Sequence, residues 1–192
     1  MLRQHGDVTA MSERPDHAEA VQDMRDQALT DLMDGAVTPT NLAEIPALLS
    51  CLNRLAATAI ISWLSATQYG YVLSAVNLGA ADLLLSCGET ATVHIGELTR
   101  RICQLGGAPK FDPAHLQTES HIDYRDFPQG EVVGMVTETL MGRRVVIQLC
   151  QEYVRWIADS DPTSRRLIER ILEANETDAE RLRSFLRAQA SV

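Results

Sequence analysis

The chain has 192 residues, 17 basic and 26 acidic, so its formal net charge is −9. A chain of this length buries a substantial core without disulfides or structural metals, and one main domain is expected. The acidic balance argues against nucleic acid and anionic membrane surfaces as partners. The four cysteines have no paired spacing, and residues 1–40 do not resemble a signal peptide. We therefore expect reduced thiols in a cytoplasmic protein.

Residues 1–40 predict a polar segment that is separate from the main domain over residues 41–192. Residues 1–14 are expected to form a tail, and residues 15–34 a polar helix that ends at Gly35. This segment is acidic and contains no lysine. It therefore lacks the basic arm with which a protein holds the phosphates of duplex DNA.

Residues 45–81 form a nearly uncharged run in which Arg54 is the only charged side chain. A membrane span must be considered, because about 20 apolar residues suffice to cross a bilayer. Hydroxyl and amide side chains interrupt the run, however, and its flanks lack clustered lysine and arginine. We therefore expect a soluble helix that is buried on both sides, with one face in a bundle core and the other against a second subunit.

Residues 82–107 predict a second long helix, antiparallel to the first after a short turn at residues 77–79. Its apolar stripe recurs at steps of three and four, and Gly106 and Gly107 end it. One imidazole, His94, lies halfway along the stripe. A lone histidine at such a position is more often an ordinary core residue than a ligand. The stripe consists of Leu84, Cys87, Ala91, His94, Leu98, Ile102 and Leu105.

The next stretch, residues 107–130, is rich in turn formers and predicts a long crossover. A helix of about 27 residues is about 40 Å long, and about 20 extended residues reach about 65 Å. The third helix is therefore expected to start at the end of the bundle where the second started. His115 and His121 lie in this crossover, and we expect both to be solvated.

The third and fourth helices carry stripes with polar midpoints. The third, over residues 130–159, has the stripe Val133, Val136, Leu140, Arg143, Ile147, Cys150, Val154 and Ile157. Either Arg143 is buried, or the helix rotates slightly and its guanidinium reaches solvent. The fourth begins with Asp161 as N-cap and Pro162 in the first turn. Its stripe is Ile168, Ile171, Asn175, Asp178, Leu182 and Phe185.

These midpoints share one level of the predicted bundle, and that level resembles a known metal site. A residue from each of two helices and an (i, i+3) pair from each of two others is the layout of a ferritin-like di-iron centre. The stretches LNRLAATAIISWLSATQY, HIGELTRRICQLGGAPKF, SHIDYRDFPQGEVVGMVTETLMGRR and SDPTSRRLIERILEANETDAERL resemble the bacterioferritin/Dps-like branch of the ferritin-like superfamily. The resemblance covers about residues 52–186.

The resemblance implies an all-α fold: a ferritin-like four-helix bundle of antiparallel pairs joined by a long crossover, with an extra N-terminal helical segment. It also implies a homodimer or larger homo-oligomer that forms through the first long helix. Because the methionine that binds haem in bacterioferritins would fall near Thr92, no haem is expected.

The same resemblance implies that most di-iron ligands are missing. The first-helix glutamate would fall at Thr58 or Ala59, and the third-helix glutamate at Arg143. The two Glu-x-x-His pairs would fall at Ala91 with His94 and at Asn175 with Asp178. Two ferrous ions need several buried carboxylates, and a fixed cation would repel them. Our hypothesis is that the guanidinium takes the place of the iron, pairs with Asp178, and is hydrogen-bonded by Asn175 and His94.

Three hypotheses about the function follow. The first is a ferritin-like pseudoenzyme with a degenerate di-iron site that serves as a binding, scaffold or assembly protein without a cofactor. The second is an iron-storage or metal-binding protein with a site between subunits or a rearranged site made by His94, Glu176 and Asp178, with Asp82 or Glu89. The third is a small-molecule binder, or an enzyme without metal, that uses a cavity beside Thr58 and Ala91, although no nucleophile–base pair supports catalysis. Dps-like protection of DNA is disfavoured by the charge.

Overall fold

The structure, a computed structural model, describes residues 17–190, so the tail predicted over residues 1–14 lies outside the described range. Within that range the chain is all-helical, as the sequence predicted. The helices are α1 (His17–Thr30), α2 (Ile45–Leu73), α3 (Leu78–Gln104), α4 (Pro113–Glu119), α5 (Val132–Ile157) and α6 (Pro162–Ala190), with a 3₁₀ turn at Leu32–Asp34.

The chain divides into two compact units between Thr38 and Pro39, two residues before the predicted boundary. The described part of the first unit is α1 and the 3₁₀ turn. Its polar side chains bond along the helix, for example from Gln22 Nε2 to Asp26 Oδ1 at 3.0 Å. The second unit contains α2 to α6.

Helices α2 and α3 form a closely packed antiparallel pair. Asn77 caps α3 by accepting a hydrogen bond from the amide of Ala80 at 2.9 Å, so α3 begins four residues earlier than predicted. Two glycines allow the backbones to approach. A Cβ atom on Gly70 would lie 2.6 Å from Leu85 Cγ, and one on Gly88 would lie 2.7 Å from Thr67 Oγ1.

The segment between α3 and α5 runs along α2 for most of its length. The amide of Lys110 donates to Asn53 Oδ1 at 2.9 Å near the start of α2. Near the end of α2, the Tyr69 hydroxyl donates to the carbonyl of Arg125, and its ring meets Phe127 edge-on with centroids 5.5 Å apart. Helix α5 therefore starts at the end of the bundle where α3 starts, which confirms the predicted crossover.

Two details of the crossover differ from the prediction. It contains a short helix, α4, whose N-cap Asp112 accepts from the amide of Ala114 at 3.0 Å, with Pro113 in the first turn. His115 is exposed as expected, but His121 is half-buried. The His121 amide donates to Thr58 Oγ1 at 3.0 Å, and its Nδ1 lies 3.1 Å from the same oxygen.

The bundle core follows the predicted stripes closely. All seven stripe residues of α3 are buried, as are five of the six on α6, while Phe185 is half-buried. Helix α5 is the exception. Val133 is 53% exposed, and three other stripe residues, Leu140, Ile147 and Val154, are half-buried. Met135, Thr139 and Val146, which lie outside the stripe, are buried instead. The buried face of α5 is therefore rotated slightly from the predicted stripe along the helix.

Among the described helices, α2 is the one that is long and apolar enough to cross a membrane. Its leucines Leu48, Leu52, Leu55 and Leu73 are buried inside the bundle. The apolar composition of α2 is therefore accounted for by its place as a core helix.

The close approach of α2 and α3 predicts opposite effects for two glycine substitutions. Gly70→Ala should lower the free energy of unfolding by about 1–3 kcal/mol, because the new methyl group overlaps Leu85. Gly96→Ala should raise it by about 0.5–1 kcal/mol, because Gly96 is an exposed α3 residue with nothing within 4 Å of a new Cβ. Urea denaturation measures both. A Gly70→Ala variant as stable as Gly96→Ala would contradict the packing described.

Candidate functional site

The centre of the bundle is occupied by the guanidinium group of Arg143, which lies at the midpoint of α5 and is 2% exposed. The alternative in which this side chain reaches solvent is therefore wrong. Its Nη1 donates to Ser62 Oγ on α2 at 2.9 Å, and its Nη2 donates to the carbonyl of Cys87 on α3 at 2.7 Å. A longer bond of 3.4 Å runs from Nη1 to Asn175 Oδ1 on α6. One side chain thus binds the other three long helices.

Asp178 supplies the countercharge. Its Oδ2 lies 3.3 Å from Arg143 Nε, and the two side chains are 4% and 2% exposed. These two atoms have no aligned hydrogen-bond partner, so the contact is an ion pair without a directed hydrogen bond. The other carboxylate oxygen lies 3.5 Å from Nη1 of Arg181, which is half-exposed. Asp178 is therefore held between a buried and a half-exposed cation.

His94 lies in the same layer as a neutral group. It is 6% exposed, and burial, reinforced by the charge of Arg143, lowers its pKa from 6.5 to about 4. Within residues 17–190, its imidazole makes no hydrogen bond to another side chain or to the backbone. The hypothesis that His94 hydrogen-bonds the guanidinium is therefore wrong, and Ser62 and the Cys87 carbonyl take that role.

Several of the predicted site residues meet around a cavity of about 10 Å³. It is lined by Ala59, Ala91, His94, Arg143 and Asn175, with Ser62 and neighbouring apolar residues. Thr58 is not among them, because its hydroxyl donates to the carbonyl of Arg54 and contacts His121. Of the two register alternatives on α2, Ala59 lies in the layer. A water needs about 10–15 Å³, so the layer leaves no room for a small organic molecule.

The sequence analysis did not predict Ser62 as a residue of this layer, although it lies three residues after Ala59 and therefore on the same side of α2. The signal was present in this spacing. It was obscured because α2 carries hydroxyl and small apolar residues on every side, so no face of the helix was marked as polar.

The residues of this layer do not fit a di-iron centre. Nowhere in the part of the chain that the structure describes do three or more histidine, cysteine, aspartate or glutamate side chains converge as metal ligands would. Glu176, Asp82 and Glu89 are exposed, so the alternative set of His94, Glu176 and Asp178 is not brought together. The fixed charge of Arg143 opposes a cation at the same place.

A second buried ion pair closes the bundle at the turn between α5 and α6. Arg101 Nη2 lies 2.9 and 2.7 Å from the two carboxylate oxygens of Asp161, and its Nε donates to Ser164 Oγ at 2.8 Å. Asp161 is also the N-cap of α6 as predicted, accepting from the amide of Ser164 at 3.1 Å. Burial raises the pKa of Asp161, but hydrogen bonds from Ser164 and Arg101 outweigh it and hold the pKa below its usual value.

Comparison with known proteins places this chain in a family. Residues 49–190 match the profile of the Ferritin-like domain. The chain belongs to the ferritin-like family. No curated protein sequence shows significant similarity to it.

Solved structures show the same fold at low sequence identity. The bacterioferritin-related protein from Bacteroides fragilis, a dodecameric thioferritin, superposes with a TM-score of 0.73 at 16% identity over 91% of this chain and 95% of that one. Dps from Thermosynechococcus elongatus gives 0.68 at 21% identity over 73% and 90%. DpsC from Streptomyces coelicolor gives 0.69 at 21% identity over 77% and 89%.

The buried ion pair predicts an unequal response to substitution. Asp178→Asn should lower the free energy of unfolding by about 3–5 kcal/mol, because it removes the carboxylate that pairs directly with the buried guanidinium. Adding Arg143→Met should recover much of that loss, since the double variant buries no unpaired charge. Urea denaturation of the two single variants and the double variant measures this coupling. Additive losses in the double variant would show that the two groups do not interact.

The neutral imidazole predicts a defined pH dependence. Because the folded-state pKa of His94 is about 4 and the unfolded value is near 6.5, the unfolded chain binds the proton more tightly. Stability is therefore lost as pH falls from about 6.5 to about 4, by about 3 kcal/mol in total. His94→Gln should remove most of the pH dependence of the unfolding free energy over this range. A smaller dependence should remain from His121, because burial lowers the pKa of that side chain as well. Equal slopes for the variant and the unmodified protein would refute this account.

Proposed function

We propose that this protein is a ferritin-like subunit that has lost its ferroxidase centre and serves as a binding, scaffold or assembly protein. The observation that carries the proposal is the Arg143 guanidinium at the middle of the bundle, hydrogen-bonded to α2 and α3 and paired with Asp178 on α6. In a ferritin-like di-iron protein, carboxylates and histidines from four helices hold the metal at this level. Here a fixed cation joins the four helices instead.

The charge balance supports the proposal. Among the described residues, the carboxylate that pairs directly with the guanidinium is that of Asp178, which also contacts Arg181. His94 is neutral at pH 7. Two ferrous ions would add four positive charges to a layer that already carries a surplus of positive charge. Without more carboxylates, the desolvation of such ions is not compensated.

We propose further that the protein forms homodimers or larger homo-oligomers through the outer face of α2. Trp63, Leu64 and Tyr71 are 39%, 39% and 68% exposed along this face. Together with Leu116 of α4 they line a groove of about 540 Å³. A large aromatic and aliphatic surface of this kind favours burial against a second copy, and the related structure from Bacteroides fragilis is a dodecamer. The acidic charge favours a protein without a nucleic-acid or membrane partner, and the four free cysteines favour a cytoplasmic location.

The loss of the ferroxidase centre predicts that the protein does not speed the oxidation of iron. After aerobic addition of ferrous iron, the formation of ferric species should proceed at the rate of buffer alone, because no carboxylate cluster holds the two ions. Stopped-flow absorbance measures the rate, and elemental analysis of the same protein measures bound metal. Oxidation above buffer would contradict the proposal. If His94→Gln then abolished that oxidation, the working site would lie in the bundle. If the variant still oxidised iron, the site would lie between subunits.

The proposed interface predicts that a charge on α2 breaks the assembly. Trp63→Glu should shift the native mass towards the monomer, because a carboxylate would be buried in an apolar contact. Trp156→Glu is the matched control, since Trp156 is 48% exposed on α5 and outside the α2 face. Native mass spectrometry or analytical ultracentrifugation reads the result. Dissociation of the Trp156 variant with an intact Trp63 variant would place the interface elsewhere.

A further inference from the structure

A second cavity lies between α2, α5 and the crossover segment, and it shares Ser62 with the first. Its volume is about 20 Å³, and its polar lining comes from Ser62, Ser65, Tyr69, Asp123, Glu138 and Thr139. Tyr69 and Thr139 are already satisfied, because the Tyr69 hydroxyl donates to the carbonyl of Arg125 and the Thr139 hydroxyl to that of Met135.

Two buried polar atoms of this lining lack an aligned hydrogen-bond partner among the described residues. Ser65 is 8% exposed, and its Oγ makes no aligned hydrogen bond, although the Tyr69 hydroxyl lies beside it. The Glu138 side chain is 13% exposed, and its Oε2 lies 3.5 Å from Nη1 of Arg125, while its Oε1 has no partner. A buried polar atom without a partner destabilises the folded chain, and more so when it belongs to a charged group. Two such atoms on one cavity indicate a bound polar species.

Ser62 connects this cavity to the Arg143 layer. Its oxygen accepts a hydrogen bond from Arg143 Nη1, which leaves the hydroxyl hydrogen available to donate. Ser62 lines both the 10 Å³ cavity of the layer and the 20 Å³ cavity described here. A molecule bound in the larger cavity can therefore accept a hydrogen bond from Ser62, which itself binds the guanidinium of Arg143.

We propose that the larger cavity binds one water molecule, which donates to Glu138 Oε1 and accepts from the hydroxyls of Ser62 and Ser65. The volume exceeds the 10–15 Å³ or so that one water requires, and the site offers the two to four polar partners that a buried water needs. A metal ion is disfavoured, although the carboxylates of Asp123 and Glu138 line the cavity. Glu138 is already paired with the guanidinium of Arg125, and no group of three or more metal-ligating side chains occurs among the described residues.

The bound water gives Glu138 a role at the bundle centre. It completes a chain of hydrogen bonds from the Glu138 carboxylate through the water and Ser62 to the guanidinium of Arg143. Arg143 then has two carboxylates: Asp178 by direct ion pairing and Glu138 through the water. This inference is independent of the proposed function, since it concerns the hydration of the folded chain.

Crystal structures of the full chain and three variants test the proposal. The unmodified protein should show one electron-density peak within hydrogen-bond distance of Ser65 Oγ and Glu138 Oε1. Glu138→Gln should keep the peak, because the amide oxygen still accepts, and Ser65→Val should lose it, because a methyl group fills its place. Thr90→Val is the matched control and should keep the peak, since the Thr90 hydroxyl donates to the carbonyl of Ser86 in its own helix and does not line the cavity.

Three crystallographic results would overturn the proposal. They are the absence of density in the unmodified protein, a Glu138 carboxylate turned out to solvent, or a peak with oxygen distances of about 2.0–2.6 Å, typical of a magnesium or calcium ion. In solution, magnetic relaxation dispersion of water oxygen should count one fewer long-lived water in Ser65→Val than in the Thr90→Val control. Equal numbers of long-lived waters in the two variants would also overturn it. If a variant does not fold, the crystal structure of the unmodified protein still decides the test.

Discussion

The ion pair between Arg143 and Asp178 is the constraint on which the rest of the bundle depends. A guanidinium at 2% exposure loses its hydration, and the cost of several kcal/mol has to be offset by charge and hydrogen bonds inside the protein. Ser62, the Cys87 carbonyl and Asp178 supply them from three different helices. A shift of any one helix along its axis would remove one of these partners, so the pair fixes the relative register of α2, α3, α5 and α6.

Small residues make room for the long side chain. Ala59 on α2 and Ala91 on α3 line the cavity beside Arg143, at positions where the ferritin-like resemblance implies glutamates. A planar guanidinium with five donors can bond to several helices at once, which a lysine ammonium does less well. We interpret the layer as one in which arginine performs the structural part of the metal's role and none of its chemistry.

The sequence predicted the parts of the fold that depend on periodicity and capping. The seven-residue stripe of α3, the Asp161 N-cap and the crossover were all readable, because each is a local pattern or a matter of chain length. The stripe of α5 placed Arg143 in the core register but left open whether the side chain was buried. That choice depended on whether partners lay opposite, and Ser62 and the Cys87 carbonyl belong to other helices.

The remaining errors have the same physical origin. Thr58 and Ala59 could not be separated as layer residues, because α2 is apolar on nearly every side and no periodicity marks its inner face. Arg101 lies three residues after Leu98 and so falls on the core side of α3, but its pairing with Asp161 joins residues 60 positions apart. The burial of His121 likewise depends on a contact with Thr58, 63 positions away. Contacts at such separations follow from the folded arrangement of helices and not from local sequence.

The most direct measurement of the central claim is a crystal structure of the protein soaked in ferrous iron, with anomalous scattering recorded at the iron edge. The account predicts that the Arg143 guanidinium stays bound to Ser62 and the Cys87 carbonyl, with no anomalous peak between the four long helices. Two peaks about 3.5–4 Å apart in that space, with Arg143 displaced towards solvent, would contradict it.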